Sequence, residues 1–62
     1  MNVRELLKVV NTDEYCMIND TTDDYELIRD YDKGSHAAIK KYYDKTVKSI
    51  TPCGNAVEIR FI

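Results

Sequence analysis

The stretch Val57-Glu58-Ile59-Arg60-Phe61 alternates without a break, with Val57, Ile59 and Phe61 on one side and Glu58 and Arg60 on the other. A strand patterned this way needs neighbours along its edges and an apolar layer against its dry face. In a chain of 62 residues both must come from one domain, taken here as residues 1–62. A domain of that size buries only roughly 60% of the surface its unfolded chain exposes, so its stability is marginal. A second copy hiding one more apolar face would relieve the shortage.

The opposite end of the chain supplies the layer. Asn2 followed three residues later by Glu5 has the form of a capping box, and Val3, Leu6, Leu7 and Val10 recur at i, i+3, i+4 and i+7. This spacing predicts an amphipathic helix with Arg4, Glu5 and Lys8 on its wet face and Val9 widening the dry stripe. The turn formers Asn11-Thr12-Asp13 end it.

Between these ends lie shorter signals. Glu14 to Asn19 encloses Tyr-Cys-Met-Ile, which predicts an inner strand covered on both faces. Asp20-Thr21-Thr22-Asp23-Asp24 is hairpin chemistry. A second strand, Tyr25 to Tyr31, puts Tyr25, Leu27, Arg29 and Tyr31 on one face and Glu26, Ile28 and Asp30 on the other. Asp32-Lys33-Gly34 reads as a turn, and Ser35 caps a predicted short helix through Tyr43 with Ala38, Ile39 and Tyr42 inward. Thr46 to Ile50 is rich in β-branched residues, and Pro52-Cys53-Gly54-Asn55 is a turn into the last strand. The fold class is therefore α+β, in the order αββαββ. A small four-stranded, mainly antiparallel sheet carries an N-terminal amphipathic helix and a second short helix.

Charge is distributed unevenly. The net charge is −2, yet residues 13–32 hold eight acids against one base, Arg29, whereas residues 33–62 hold six bases against Asp44 and Glu58. Such asymmetry bears on partners and not on fold. Carboxylates interleaved with tyrosines on a rigid hairpin can occupy a basic groove, so Asp20, Asp23, Asp24, Tyr25, Glu26, Asp30, Tyr31 and Asp32 form the candidate protein-binding site. The basic set Lys40, Lys41, Lys45 and Lys48, beside Tyr42 and Tyr43, is the alternative, a surface for nucleic acid. An isoelectric point near 5.2 argues against that alternative.

Catalytic and cofactor chemistry finds little footing. Cys16 and Cys53 lie far apart, without the paired spacing of a zinc site, and His36 is the single histidine. Cys16 reads as a small hydrophobe within a strand and Cys53 as a free thiol in a turn. The acidic turn lacks the glycine and terminal glutamate of a calcium loop, and two glycines cannot build a phosphate loop. No cofactor, metal or catalytic residue is expected. The apolar run Tyr15 to Ile18 is far shorter than the roughly 20 residues of a membrane span, and residues 1–5 do not read as a secretory signal. A cytoplasmic setting follows, with both cysteines reduced.

The segments Val3-Arg4-Glu5-Leu6-Leu7, Glu14 to Asp20, Lys45 to Ile50 and Asn55 to Ile62 together resemble short proteins carried by phages and prophages of Gram-positive bacteria. The resemblance implies a setting in the host cell cytoplasm and a role as an inhibitor of a bacterial defence protein, a class that includes anti-CRISPR proteins. It carries over no functional residues. Three hypotheses stand: a non-enzymatic inhibitor that binds a host protein, a nucleic-acid-binding accessory module, and a homodimeric structural module.

Overall fold

The computed structural model describes residues 1–10, 12–29 and 38–62. Its elements are a helix α1 (Val3–Leu6), strands β1 (Glu14–Asn19), β2 (Tyr25–Arg29), β3 (Val47–Cys53) and β4 (Ala56–Phe61), and a single 3-10 turn, Lys40–Tyr42, between β2 and β3. The strands form one sheet in the order β2-β1-β4-β3.

The capping box forms. The Asn2 side chain accepts from the Glu5 N–H at 2.8 Å, and the Glu5 carboxylate accepts from the Asn2 N–H at 3.1 Å. Two further N–H groups of the first turn are met from outside the helix: Val3 donates to the Lys45 carbonyl at 3.0 Å and Arg4 to the Tyr43 carbonyl at 3.2 Å. Val3, Leu6 and Leu7 are buried and Val10 half-buried, the stripe the spacing predicts. Val9 departs from it, at 80% exposed. After Leu6, i→i−3 bonds from Lys8 to Glu5 and from Val9 to Leu6 alternate with i→i−4 bonds from Leu7 to Val3 and from Val10 to Leu6.

The sheet is mixed, which corrects the expectation of a mainly antiparallel one. β1 pairs antiparallel with β2, and β3 with β4, but the two central strands β1 and β4 run parallel. Two hairpins thus lie side by side, and the chain between them carries Ile39 onto the same core as α1. A parallel pair needs a long crossover, and the stretch from Asn19 to Ala56 provides it.

The second short helix is also corrected. Its predicted start at Ser35 to Ala37 lies outside the described residues. From Lys40 it is one 3-10 turn, closed by Tyr42 N–H to Ile39 at 2.9 Å and Tyr43 N–H to Lys40 at 3.1 Å. Adjacent Tyr42 and Tyr43 are drawn to different neighbours: Tyr42 packs on Phe61 with ring centroids 5.1 Å apart, while Tyr43 lies under the Arg4 guanidinium at 5.4 Å. A segment this short gains more from those anchors than from extending a helix that has a costly nucleus.

The core sits on one face of the sheet. Tyr15, Met17, Ile28, Ile59 and Phe61 meet Val3, Leu6, Leu7 and Ile39 there, and each such side chain contributes about 1.5–3 kcal/mol by leaving water. The opposite face carries the rows Arg29–Glu14–Ala56–Cys53, Leu27–Cys16–Glu58–Thr51 and Tyr25–Ile18–Arg60–Ser49. β1 is therefore an inner strand, and on its outward side Ile18 is 8% exposed and Cys16 half-buried, whereas the edge strand β2 leaves Leu27 50% and Tyr25 73% exposed. The division of β2, with Ile28 inward and Tyr25, Leu27 and Arg29 outward, is the one its alternation predicts.

β3 runs on through Pro52 and Cys53, residues that read as a turn in the sequence. Proline is tolerated because β3 ends the sheet and its outer edge has no ladder to complete. The turn proper is Gly54-Asn55, with Gly54 at φ +60°, a conformation that favours glycine.

Candidate protein-binding end of the sheet

The β1–β2 connection is built by side chains bonding local backbone. The Asn19 side-chain oxygen accepts from the Thr21 and Thr22 N–H groups at 2.9 and 3.2 Å, and the Thr22 hydroxyl accepts from the Asp24 N–H at 3.3 Å. Asp23 takes a positive φ of 60°, tolerated by a short polar side chain. The connection spans Asp20 to Asp24, the hairpin length its composition predicts.

Of the four described acids in the predicted surface, Asp20, Asp23 and Glu26 are paired with bases from the second half of the chain. Asp20 pairs with Lys48 at 2.9 Å and with Arg60 at 3.6 Å. Asp23 pairs with Arg60 at 3.2 Å, and Glu26 with Lys41 at 2.8 Å. Hydrogen bonding from Lys48 holds the Asp20 carboxyl below the usual carboxylate range, and hydrogen bonding from Lys41 and then Tyr42 does the same for Glu26. Burial, reinforced by the bond to Glu26, pushes the Tyr42 phenol up to about 12. The residues proposed for acidic mimicry are thus joined to those proposed for nucleic-acid binding: Lys41 and Lys48 already hold carboxylates and do not form an open basic strip.

Asp24 differs from its neighbours. Among the described residues its carboxylate has no ion partner, and Tyr25 beside it is 73% exposed. Both border a shallow cleft of about 400 Å³ on the helix side of the sheet. Met17 and Phe61 also line it, with Asn19, Glu26, Tyr42 and Lys45. The Lys45 ammonium likewise has no ion partner among the described residues. The cleft therefore presents one uncompensated acid and one uncompensated base beside aromatic and thioether surface.

Of the predicted site, the structure brings Asp20, Asp23, Asp24, Tyr25 and Glu26 to this end of the molecule. Asp30, Tyr31 and Asp32 lie outside the described residues, as does His36. The sequence reading missed Asn19, Tyr42 and Lys45 as members of the same site. Asn19 carries a local signal, being a turn former at a strand end, but the approach of Tyr42 and Lys45 depends on the crossover.

The thiols lie on the outward face, in strands separated by β4. Two inter-strand steps and a two-residue offset along the strands put them roughly 11–12 Å apart, beyond the span of a disulfide. Both are free. Burial, then the nearby Glu58 carboxylate, pushes the Cys16 thiol up, which favours its protonated form. Among the described residues no group of three His, Cys, Asp or Glu is placed to hold a metal ion. No helix among them is long and apolar enough to cross a membrane.

Comparison with protein-family models, with curated proteins and with solved structures finds no match for this chain.

Proposed function

We propose that this chain is a non-enzymatic protein-binding module that engages a partner through the Asp24–Glu26 end of the sheet and the cleft beside it. The observation that carries the reading is the pairing of uncompensated charge with exposed aromatic surface. Asp24 and Lys45 have no ion partners among the described residues, and Tyr25, which follows Asp24 at the rim of the cleft and belongs to the outward row of the sheet, is 73% exposed. Tyrosine is enriched at interface centres because it brings a large apolar ring with a polar tip at low entropic cost. A partner that presents a base to Asp24 and an acid to Lys45 gains specificity from both contacts. The resemblance to short phage proteins makes a bacterial defence protein the partner class and the host cytoplasm the setting of this proposal.

The test is capture from bacterial lysate with tagged wild-type chain beside the variants Asp24→Arg and Lys45→Glu. A protein retained by the wild type and lost from both variants supports the reading. A protein retained equally by all three removes the site from it, and turnover of a substrate by the pure chain would refute it altogether.

A further inference from the structure

We propose that two copies of this chain stack through the face of the sheet that none of the described elements covers, about a two-fold axis that lies between them and runs across the strands. The inference shares Tyr25 with the proposed binding end and otherwise stands apart from the cleft, which opens on the other face.

The two central rows of that face carry it. One row reads Leu27–Cys16–Glu58–Thr51 and the next reads Tyr25–Ile18–Arg60–Ser49. An axis passing between these rows exchanges them. Leu27 then lies over Tyr25 of the second copy, Cys16 over Ile18, Glu58 over Arg60 and Thr51 over Ser49. Acid meets base and hydroxyl meets hydroxyl, and the apolar contact falls on Leu27 and Tyr25, since Ile18 is itself only 8% exposed. This is the self-complementarity that an isologous interface requires.

The Arg60 guanidinium has capacity for such a contact, because its bonds to Asp20 and Asp23 both use Nη1 and leave the other donors of the fork. Aligned sheets pack about 10 Å apart with their strands within about 30° of each other, close enough for these side chains to meet. A polyanion is a poorer occupant, since it would meet Glu58 as well as Arg60. The footprint, roughly 20 Å by 20 Å from strand spacing and rise, amounts to about 800 Å² over both copies, below the range of stable interfaces, and sets a weak, concentration-dependent dimer.

Sedimentation equilibrium in reducing buffer, from about 10 µM to about 1 mM, tests it over the range expected of a small interface. The wild-type mass is expected to climb from 7.2 kDa towards twice that value. Leu27→Lys alters a half-exposed side chain without touching the core and is expected to weaken association about tenfold or more. Glu58→Arg sets two like-charge pairs across the axis and is expected to remain monomeric. Mixing E58R with R60E is expected to restore the dimer, because the mixed pair sets each new charge against its opposite. A wild-type mass fixed at 7.2 kDa throughout overturns the proposal. So does association of Leu27→Lys and Glu58→Arg, both folded by circular dichroism, at wild-type strength.

Discussion

The Asp20 carboxylate meets the Lys48 ammonium at 2.9 Å, joining the turn after β1 to the edge strand β3. The same carboxylate lies 3.6 Å from the Arg60 guanidinium of β4, so one acid from the acidic stretch gathers two bases from the basic half. Glu26 and Lys41 repeat the arrangement at 2.8 Å. Among the described residues, Asp20, Asp23 and Glu26 of the acidic stretch are thus joined to Lys41, Lys48 and Arg60 of the basic half. Exposed pairs of this kind contribute little singly, but together they decide which charges remain for a partner.

Acid should expose this pairing. Asp20 and Glu26 both titrate below the usual carboxylate range in the folded chain. Their stabilisation is therefore present above the unfolded-state pKa and is lost as pH falls through that value towards the folded one. The melting temperature should hold steady from about pH 6 to 8 and drop below about pH 4.5. An Asp20→Asn/Glu26→Gln double variant should melt lower at neutral pH and show a flatter acid limb. An unchanged acid limb would mean that other groups drive the transition.

The capping box makes a local prediction. Asn2→Ala removes the acceptor for the Glu5 N–H and should cost about 1 kcal/mol, whereas Asn2→Ser should cost little. In a domain of this size that loss lowers the melting temperature by roughly 4–8 °C. Equal melting of the two variants would show that the tertiary bonds of Val3 and Arg4 hold the helix start unaided.

The two faces of the sheet should respond differently to truncation. Ile59 is fully buried, and Ile59→Ala should lose about 2–5 kcal/mol by deleting core methyl groups and leaving a cavity. Leu27 is half-exposed, and Leu27→Ala should stay within about 0.5 kcal/mol in dilute solution. Urea unfolding of both variants at low concentration checks the contrast. A large loss at Leu27 would place a packing layer over the outward face.

Gly54 isolates backbone strain from packing, since a Cβ built there would meet nothing within 4 Å while φ is +60°. Gly54→Ala should cost about 1–2 kcal/mol from the left-handed conformation alone, and Gly54→Asn less, because asparagine tolerates that region better. Equal stability of Gly54→Ala and wild type would mean that the turn adopts another conformation.

Much of the fold is legible where a signal is local. The Asn2–Glu5 box, the burial of Val3, Leu6 and Leu7, the facing of Ile28 against Leu27, and the alternation of β4 all follow from spacing that a few residues define. The parallel register of β1 and β4 does not, because hydrophobic patterning says which face a residue takes and not which strand lies beside it. Pro52 misled for a related reason: it is a turn residue by propensity, and only an edge position lets it extend a strand. The site followed the same division. Asp20 to Glu26 stood out by composition, but the pairing of Asp20, Asp23 and Glu26 with Lys41, Lys48 and Arg60 depends on a crossover the pattern leaves unspecified.

Mapping a captured partner onto the isotope-labelled chain by NMR cross-saturation tests the binding reading most directly. Signal loss should centre on Asn19, Asp24, Tyr25, Tyr42 and Lys45, the end where Asp24 and Lys45 stand without ion partners among the described residues. Loss centred instead on α1 and β3, with those five residues untouched, would contradict it.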